Sequence, residues 1–132
     1  MKILGLDYGT KNVGVALSDD GASMAFPKGV FKNDDNLIKN IKELIEKEGV
    51  EKIVVGDPGE YEIQEKIKNF ASSLETKTGV SVKMEREDLT SLHSALLTKE
   101  KPKARMEKSE EKKDDRAAMM ILQRYLDKNK ND

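Results

Sequence analysis

The chain has 132 residues, no cysteine, 37% charged residues and a formal net charge of -1. These values exclude a disulfide scaffold and thiolate chemistry, and they give the whole molecule no basic character with which to attract nucleic acid. No apolar run approaches the roughly 20 residues of a membrane span, and the opening MKILGLD reads as a first strand and not as a secretion signal. A single cytoplasmic domain over residues 1–132 is expected.

Ile3, Leu4 and Leu6 form a nearly unbroken apolar run, as expected of a central strand covered on both faces. Asp7 interrupts the run at its end. Gly9 and Thr10 turn the chain, and Val13, Val15 and Leu17 alternate with Gly14 and Ala16 in a second strand. Asp19, Asp20 and Gly21 make a turn; residues 22–26 are predicted as a short third strand, ended by Pro27 with Gly29. Asp34 or Asp35 is predicted to cap a helix that carries Leu37, Ile38, Ile41, Leu44 and Ile45 on one face, with Gly49 as its stop.

Residues 52–56, KIVVG, read as a buried strand that follows a helix directly, which predicts a crossover and parallel pairing with the first strand. Asp57, Pro58 and Gly59 form its exit. A second helix is expected over 62–77, with Ile63, Ile67, Phe70, Ala71 and Leu74 inward. Val80, Val82 and Met84 mark a fifth strand over 80–84, and 85–88 is its polar exit. A third helix starts near Thr90. Residues 99–111 read as a mobile loop, and a last helix over 112–127 buries Ala117, Ala118, Ile121, Leu122 and Tyr125 before a fraying tail. The element order predicts a five-stranded mixed α/β sheet in the order 3-2-1-4-5, with strands 1, 4 and 5 parallel and helices on both faces.

A carboxylate at the end of a buried strand is costly unless it is paired, hydrogen-bonded or bound to a cation. Asp7 is therefore either a turn residue accepting backbone N–H groups or a metal ligand. In the predicted sheet Asp7, Asp57 and the Glu85, Glu87, Asp88 group all leave at the C-terminal edge, where open α/β sheets place their sites. Asp114 precedes Ala117 and Ala118 on the apolar side of the last helix, and it points at Asp7 if that helix crosses the sheet near the first strand. Such a cluster suits a hard dication, and two ions roughly 4 Å apart would serve phosphodiester hydrolysis. Acidic residues at helix ends also occur without function. The segment 99–113 carries seven cations against four acids, a local +3 that offers a basic surface.

Gly5-Leu6-Asp7-Tyr8-Gly9-Thr10-Lys11-Asn12-Val13-Gly14-Val15-Ala16 resembles the opening signature of the YqgF-type nucleases, bacterial proteins also described as Holliday junction resolvases and as pre-16S rRNA nucleases. Val54-Val55-Gly56 with Pro58 resembles their second strand motif. Glu87, Leu89, Thr90 and Ser91 resemble their acidic strand exit. Asp114, Ala117, Ala118, Ile121, Leu122, Gln123, Tyr125 and Leu126 resemble their last helix. The resemblance implies a ribonuclease H-like fold and a Mg2+- or Mn2+-dependent endonuclease that matures the 5′ end of small-subunit ribosomal RNA. It implies a catalytic trio of Asp7, Glu87 and Asp114 as ligands of two metal ions, completed by substrate.

Three positions depart from the family pattern, in two places. Arg86 stands where the family usually has Asp, and Asp88 where it usually has Arg, so acid and base trade places around Glu87. Asp57 replaces a usual apolar residue and is either an extra ligand or the cap of the next loop, with the cap preferred. Thr10 and Lys11 either bind phosphate, or Thr10 only closes the turn and Lys11 is solvated. Arg86, Lys101, Lys103 and Arg105 complete the candidate nucleic-acid contacts, and the lone His93 reads as a surface imidazole. The expected partner is structured pre-ribosomal RNA or branched DNA, with the protein a monomer or weak homodimer. Rival readings are a Holliday junction resolvase, a non-catalytic nucleic-acid-binding module of the same fold, and an actin- or sugar-kinase-like nucleotide-binding domain. The last needs two phosphate-binding lobes, and this chain has one Asp-x-Gly-Thr segment.

Overall fold

A computed structural model describes residues 1–57, 61–86 and 115–130. Its strands are β1 (Lys2–Asp7), β2 (Asn12–Ser18), β3 (Ala25–Lys32), β4 (Val50–Asp57) and β5 (Ser81–Arg86); its helices are α1 (Leu37–Glu48), α2 (Tyr61–Thr78) and α3 (Asp115–Lys130). The sheet order is β3-β2-β1-β4-β5, as the element order predicts. β1 is antiparallel to β2 and parallel to β4, with Leu6 opposite both Val15 and Val55. β4 is parallel to β5 and β2 antiparallel to β3. The third predicted helix and the loop over 99–111 lie outside the described residues.

The apolar pattern explains the layering. Leu4, Leu6, Val13, Val15, Leu17, Ile53 and Val55 project to one face, where Leu37, Ile41, Leu44 and Ile45 of α1 and Ile67 and Leu74 of α2 cover them. Ile3, Ala16, Ala25 and Val54 project to the other, under Ala118, Ile121, Leu122 and Leu126 of α3. Each fully covered Leu or Ile contributes about 2 kcal/mol of burial. β1 is covered on both faces, which is why its sequence is apolar without alternation.

α3 comes close to the sheet because two strand residues have no side chain. A Cβ on Gly5 would stand 2.7 Å from Leu122 Cβ and 3.1 Å from the Ala118 carbonyl oxygen; one on Gly56 would collide with Ile121 Cδ1. α3 also has a definite direction. Ile121 lies against Gly56 near the end of β4, whereas the Tyr125 hydroxyl lies 3.1 Å from Lys52 Nζ near its start. Gln123 reaches the start of β3, where its Oε1 accepts the Ala25 N–H at 2.9 Å. The helix therefore runs antiparallel to β4, and its first turn lies at the C-terminal edge of the parallel strands.

Several boundaries differ from the sequence reading. The third strand is Ala25–Lys32 and not 22–26. Asp19 holds residues 19–24 as a turn, accepting the Ser23 N–H at 2.8 Å, the Ser23 hydroxyl at 3.0 Å and the Met24 N–H at 3.2 Å. The Ser23 and Met24 N–H groups keep its carboxyl below the usual range. Pro27 and Gly29 do not end the strand, because β3 is an edge strand: Ala16 pairs with Pro27 and Val15 with Gly29, leaving Lys28 as the extra residue of a bulge.

Neither Asp34 nor Asp35 is the helix cap. Asn36 occupies that position without a side-chain cap bond, and Asp34 instead accepts the Asn36 N–H at 2.9 Å one step upstream. Gly49 does end α1, in the left-handed conformation (φ 72°), with its N–H on the Ile45 carbonyl. β5 runs to Arg86, so Glu85 and Arg86 are strand residues and not an exit, because β4 continues far enough to pair Gly56 with Glu85 and Asp57 with Arg86. α3 continues past Asp127 to Lys130, where a fraying tail is predicted; the Asn129 side-chain amide donates to the Tyr125 carbonyl at 2.8 Å. None of the described helices is long and apolar enough to cross a membrane.

Candidate active site

Asp7 closes β1, the central strand, with Gly14 as its partner on β2. Its side chain is half-buried. Alternation sets its face: Leu4 and Leu6 project toward α1 and α2, whereas Gly5 faces α3, so Asp7 leaves the strand on the α3 face. The first turn of α3 begins at Asp115 on that same face and edge.

The loop after Asp7 is held from behind. Asn33 Nδ2 donates to the Gly9 carbonyl at 2.7 Å, and the Asn33 N–H donates to the Lys11 carbonyl at 2.9 Å. Gly9 is buried, while Thr10 and Lys11 are exposed. Lys32, opposite Asn12 in the adjoining strand, is exposed as well. Two cations and a hydroxyl thus stand in solvent beside the edge that carries Asp7, on a loop whose backbone is fixed. Tyr8 turns to the other face, half-buried, with its ring 4.9 Å from that of Phe70.

Asp57 sits at the same edge but on the opposite face. Ile53 and Val55 project toward α1 and α2, and Asp57 follows that alternation. Gln64 of α2 donates to both of its carboxylate oxygens, at 2.9 and 3.2 Å. Asp7 and Asp57 are thus separated by the sheet. Arg86, in register with Asp57, is exposed and follows the same alternation as Val82, away from α3.

Glu87 and Asp114, together with Lys101, Lys103, Arg105, Asp88 and His93, lie outside the described residues. Of the expected trio, the structure therefore places Asp7. Among the described residues no three carboxylate or imidazole side chains converge on one point. Asp7 supplies a hard oxygen donor of the kind Mg2+ or Mn2+ takes. In the sequence, Glu87 directly follows β5 and Asp114 directly precedes α3.

Three features near this edge escape sequence reading: the roles of Asn33 and Gln64, and the burial of Glu85. Asn33 and Gln64 act through hydrogen bonds between elements that periodicity does not encode. Glu85 alternates away from Val82 and so toward α3, which is legible, but its burial depends on α3 lying over it.

A mixed five-stranded sheet in this order, with helices on both faces and a carboxylate closing its central strand, defines the ribonuclease H-like class of α/β proteins. Within that class, the chain belongs to the RuvX family, described as Holliday junction resolvase, whose sequence model matches residues 1–128. A relative from Maridesulfovibrio salexigens, named "Putative pre-16S rRNA nuclease", is 36% identical over 135 residues, covering 96% of this chain and 98% of its own. One of the same name from Caldanaerobacter subterraneus subsp. tengcongensis is 36% identical over 141 residues, covering 99% of both. Among solved structures, the fowlpox virus Holliday junction resolvase matches with a TM-score of 0.54 at 16% identity, covering 97% of this chain and 99% of that one. T. thermophilus RuvC in complex with a Holliday junction substrate matches with a TM-score of 0.51 at 15% identity, covering 65% and 64%. At these identities the likeness is one of fold.

Proposed function

We propose that this chain is a divalent-metal-dependent endonuclease that hydrolyses phosphodiester bonds in structured nucleic acid, with maturation of the 5′ end of pre-16S rRNA as its role. One observation carries the reading: Asp7 closes the central strand on the face and edge where α3 begins. Membership of the RuvX family supports it, as does the name its relatives share.

In this reading Asp7, Glu87 and Asp114 hold Mg2+ or Mn2+. Two such ions would lower the pKa of the attacking water and stabilise the departing oxygen. The chain's own residues do the rest. Asp7 comes from the central strand, packed on both faces, so its oxygens are held in place before substrate arrives. Thr10 and Lys11, on the loop fixed by Asn33, contact the phosphate backbone next to the scissile bond. Lys101, Lys103 and Arg105 add sequence-independent phosphate contacts, and Arg86 adds another at the β5 end. Asp57, occupied by Gln64 on the other face, serves the β4–α2 junction and not the metal.

A second reading, cleavage of a four-way DNA junction, is favoured by the family's description. The test is a panel containing a pre-16S 5′-end RNA, a four-way DNA junction and linear duplex controls, each with and without Mn2+, against Asp7→Asn purified identically. Mn2+-dependent cleavage of the RNA, absent in Asp7→Asn, is expected. Cleavage of the junction alone shifts the substrate to DNA. Binding of either without cleavage by the parent makes this a non-catalytic module, and a tight ATP site would move it to the nucleotide-binding class.

A further inference from the structure

We infer that the Glu85–Lys128 ion pair is a positioning device that fixes α3 against the end of β5, an assignment that rests on the function proposed above. Glu85 is 5% exposed on an edge strand where Ser81, Lys83, Met84 and Arg86 are all exposed. Its register partner is Gly56, the residue against which Ile121 of α3 packs. Lys128 Nζ stands 3.1 Å from Glu85 Oε2, and that oxygen, withdrawn from solvent, accepts no directed hydrogen bond. A second tie lies beside it: Arg124 Nη1 donates to the Arg86 carbonyl at a long 3.5 Å.

Such a pair is a poor way to gain stability. Only the Glu85 end is buried, the Lys128 side chain being 63% exposed; burying a carboxylate costs several kcal/mol, and an apolar residue of similar size in its place is often as stable or more so. The same position filled by Leu would extend the apolar floor under α3. What a charged pair adds is geometric: it fixes one helix register against one strand position, where an apolar contact tolerates sliding. That register matters here because Glu85 stands two residues before Glu87, and α3 begins one residue after Asp114. The pair thus ties together the two elements that flank two of the three proposed carboxylates in the sequence. Glu85 and Lys128 touch neither metal nor substrate in this reading; they act through Glu87 and Asp114, as outer partners of ligands do.

The test uses the full chain with Glu85→Leu/Lys128→Met, Glu85→Gln and Lys128→Arg. Four quantities are measured: melting temperature in EDTA, Mn2+ affinity by calorimetry, and kcat and KM on the pre-16S RNA or junction that the parent cleaves. The double apolar variant should melt at or above the parent temperature and keep the parent KM, while kcat and Mn2+ affinity fall roughly tenfold. Lys128→Arg, which keeps a cation opposite Glu85, should leave both near the parent values. A folded double variant with parent kcat and Mn2+ affinity would overturn the proposal, leaving the pair as packing. Should the double variant fail to fold, Glu85→Gln is read in the same way. A parent that cleaves while the variants match it sinks only this proposal; a parent that neither cleaves nor binds Mn2+ sinks the function and this proposal together.

Discussion

Gln64 Nε2 donates to both oxygens of Asp57, at 2.9 and 3.2 Å, and so binds the last residue of β4 to the first turn of α2. The carboxylate is committed to a structural partner on the face away from Asp7. Asp57→Leu should therefore lower cleavage far less than Asp7→Asn does, while costing about 1 kcal/mol of stability through the lost hydrogen bonds. Gln64→Ala should cost a similar amount, and the double variant less than the sum, because both remove one interaction. Chemical denaturation of the three variants checks the coupling. A loss of cleavage in Asp57→Leu as deep as in Asp7→Asn would return Asp57 to the metal site.

The close approach of α3 makes a second, ordered prediction. Gly5→Ala places a methyl 2.7 Å from Leu122 Cβ and 3.1 Å from a helix carbonyl, neither of which can move without the helix. The loss should be about 2 kcal/mol, in the range of overpacked cores. Gly56→Ala meets only side-chain atoms of Ile121, its Cδ1 and, at 3.1 Å, its Cγ1, with no backbone in the way. The side chain can turn aside where a helix carbonyl cannot, so the loss should be smaller, about 1 kcal/mol, partly offset by reduced freedom of the unfolded chain. Thermal melts of the two variants should rank in that order.

The Lys2–Glu48 pair at 3.0 Å ties the start of β1 to the end of α1, with Lys28 Nζ 3.4 Å from the other Glu48 oxygen. The Lys2 hydrogen bond holds the Glu48 carboxyl below its ordinary 4.5, and Glu48 raises Lys2 above its ordinary 10.5. A depressed carboxyl contributes stability above its unfolded pKa and loses it as pH falls through the folded one; a raised lysine contributes below its unfolded pKa and loses it as pH rises through the folded one. The difference in melting temperature between the parent and Glu48→Gln should hold steady from about pH 5 to pH 9 and shrink below about pH 4. A difference that grows on acidification would contradict the sign. The pair is solvent-accessible, so the whole effect should weaken in high salt.

How much of the fold is legible in the sequence follows from what each residue's burial depends on. β1, β2 and β4 are readable because apolar runs such as Ile53, Val54 and Val55 are buried by the sheet's own topology. The existence and place of β3 are readable, but its extent escapes because Pro27 and Gly29 are turn signals in most settings, and only the pairing with β2 shows that they lie within an edge strand at a bulge. Asp7 is legible as a candidate because a carboxylate ending an apolar strand is costly in any fold. That Asp57 belongs to the other face depends on strand parity across the edge and on Gln64, and neither is visible until β4 is placed beside β1. Glu85 reads as a solvated strand exit because nothing in its neighbourhood announces a helix from the far end of the chain.

The segment 99–113 bears on binding through charge alone. Its seven cations against four acids are a sequence property, and the proposal gives Lys101, Lys103 and Arg105 backbone phosphates as partners. Replacing all three by Gln should make the plot of log affinity against log salt shallower by roughly two to three, since each neutralised phosphate contributes close to one. Filter binding of the pre-16S RNA between low and moderate salt measures this directly. An unchanged slope removes the segment from the binding surface and leaves the exposed Lys11 and Lys32, on the loop and strand beside Asp7, as candidates.

The last prediction separates metal binding from catalysis. A cation that binds the folded chain alone stabilises it by RT ln(1 + [M]/Kd), about 1.4 kcal/mol when Mn2+ is at ten times its Kd. For a chain of this length that is a rise of roughly 3–5 °C in melting temperature. Excess Mn2+ should therefore raise the parent's melting temperature in the absence of nucleic acid, and Asp7→Asn should lose most of that rise. In EDTA the order should invert or close. Asp7→Asn should melt at or slightly above the parent if the proposed trio holds, because replacing one of three clustered carboxylates relieves their repulsion once no cation offsets it. The combination is what identifies a ligand. A residue that merely closes the turn after β1 would lower the melting temperature equally with and without Mn2+, and that outcome would reassign Asp7 to the Gly9–Lys11 loop that Asn33 holds.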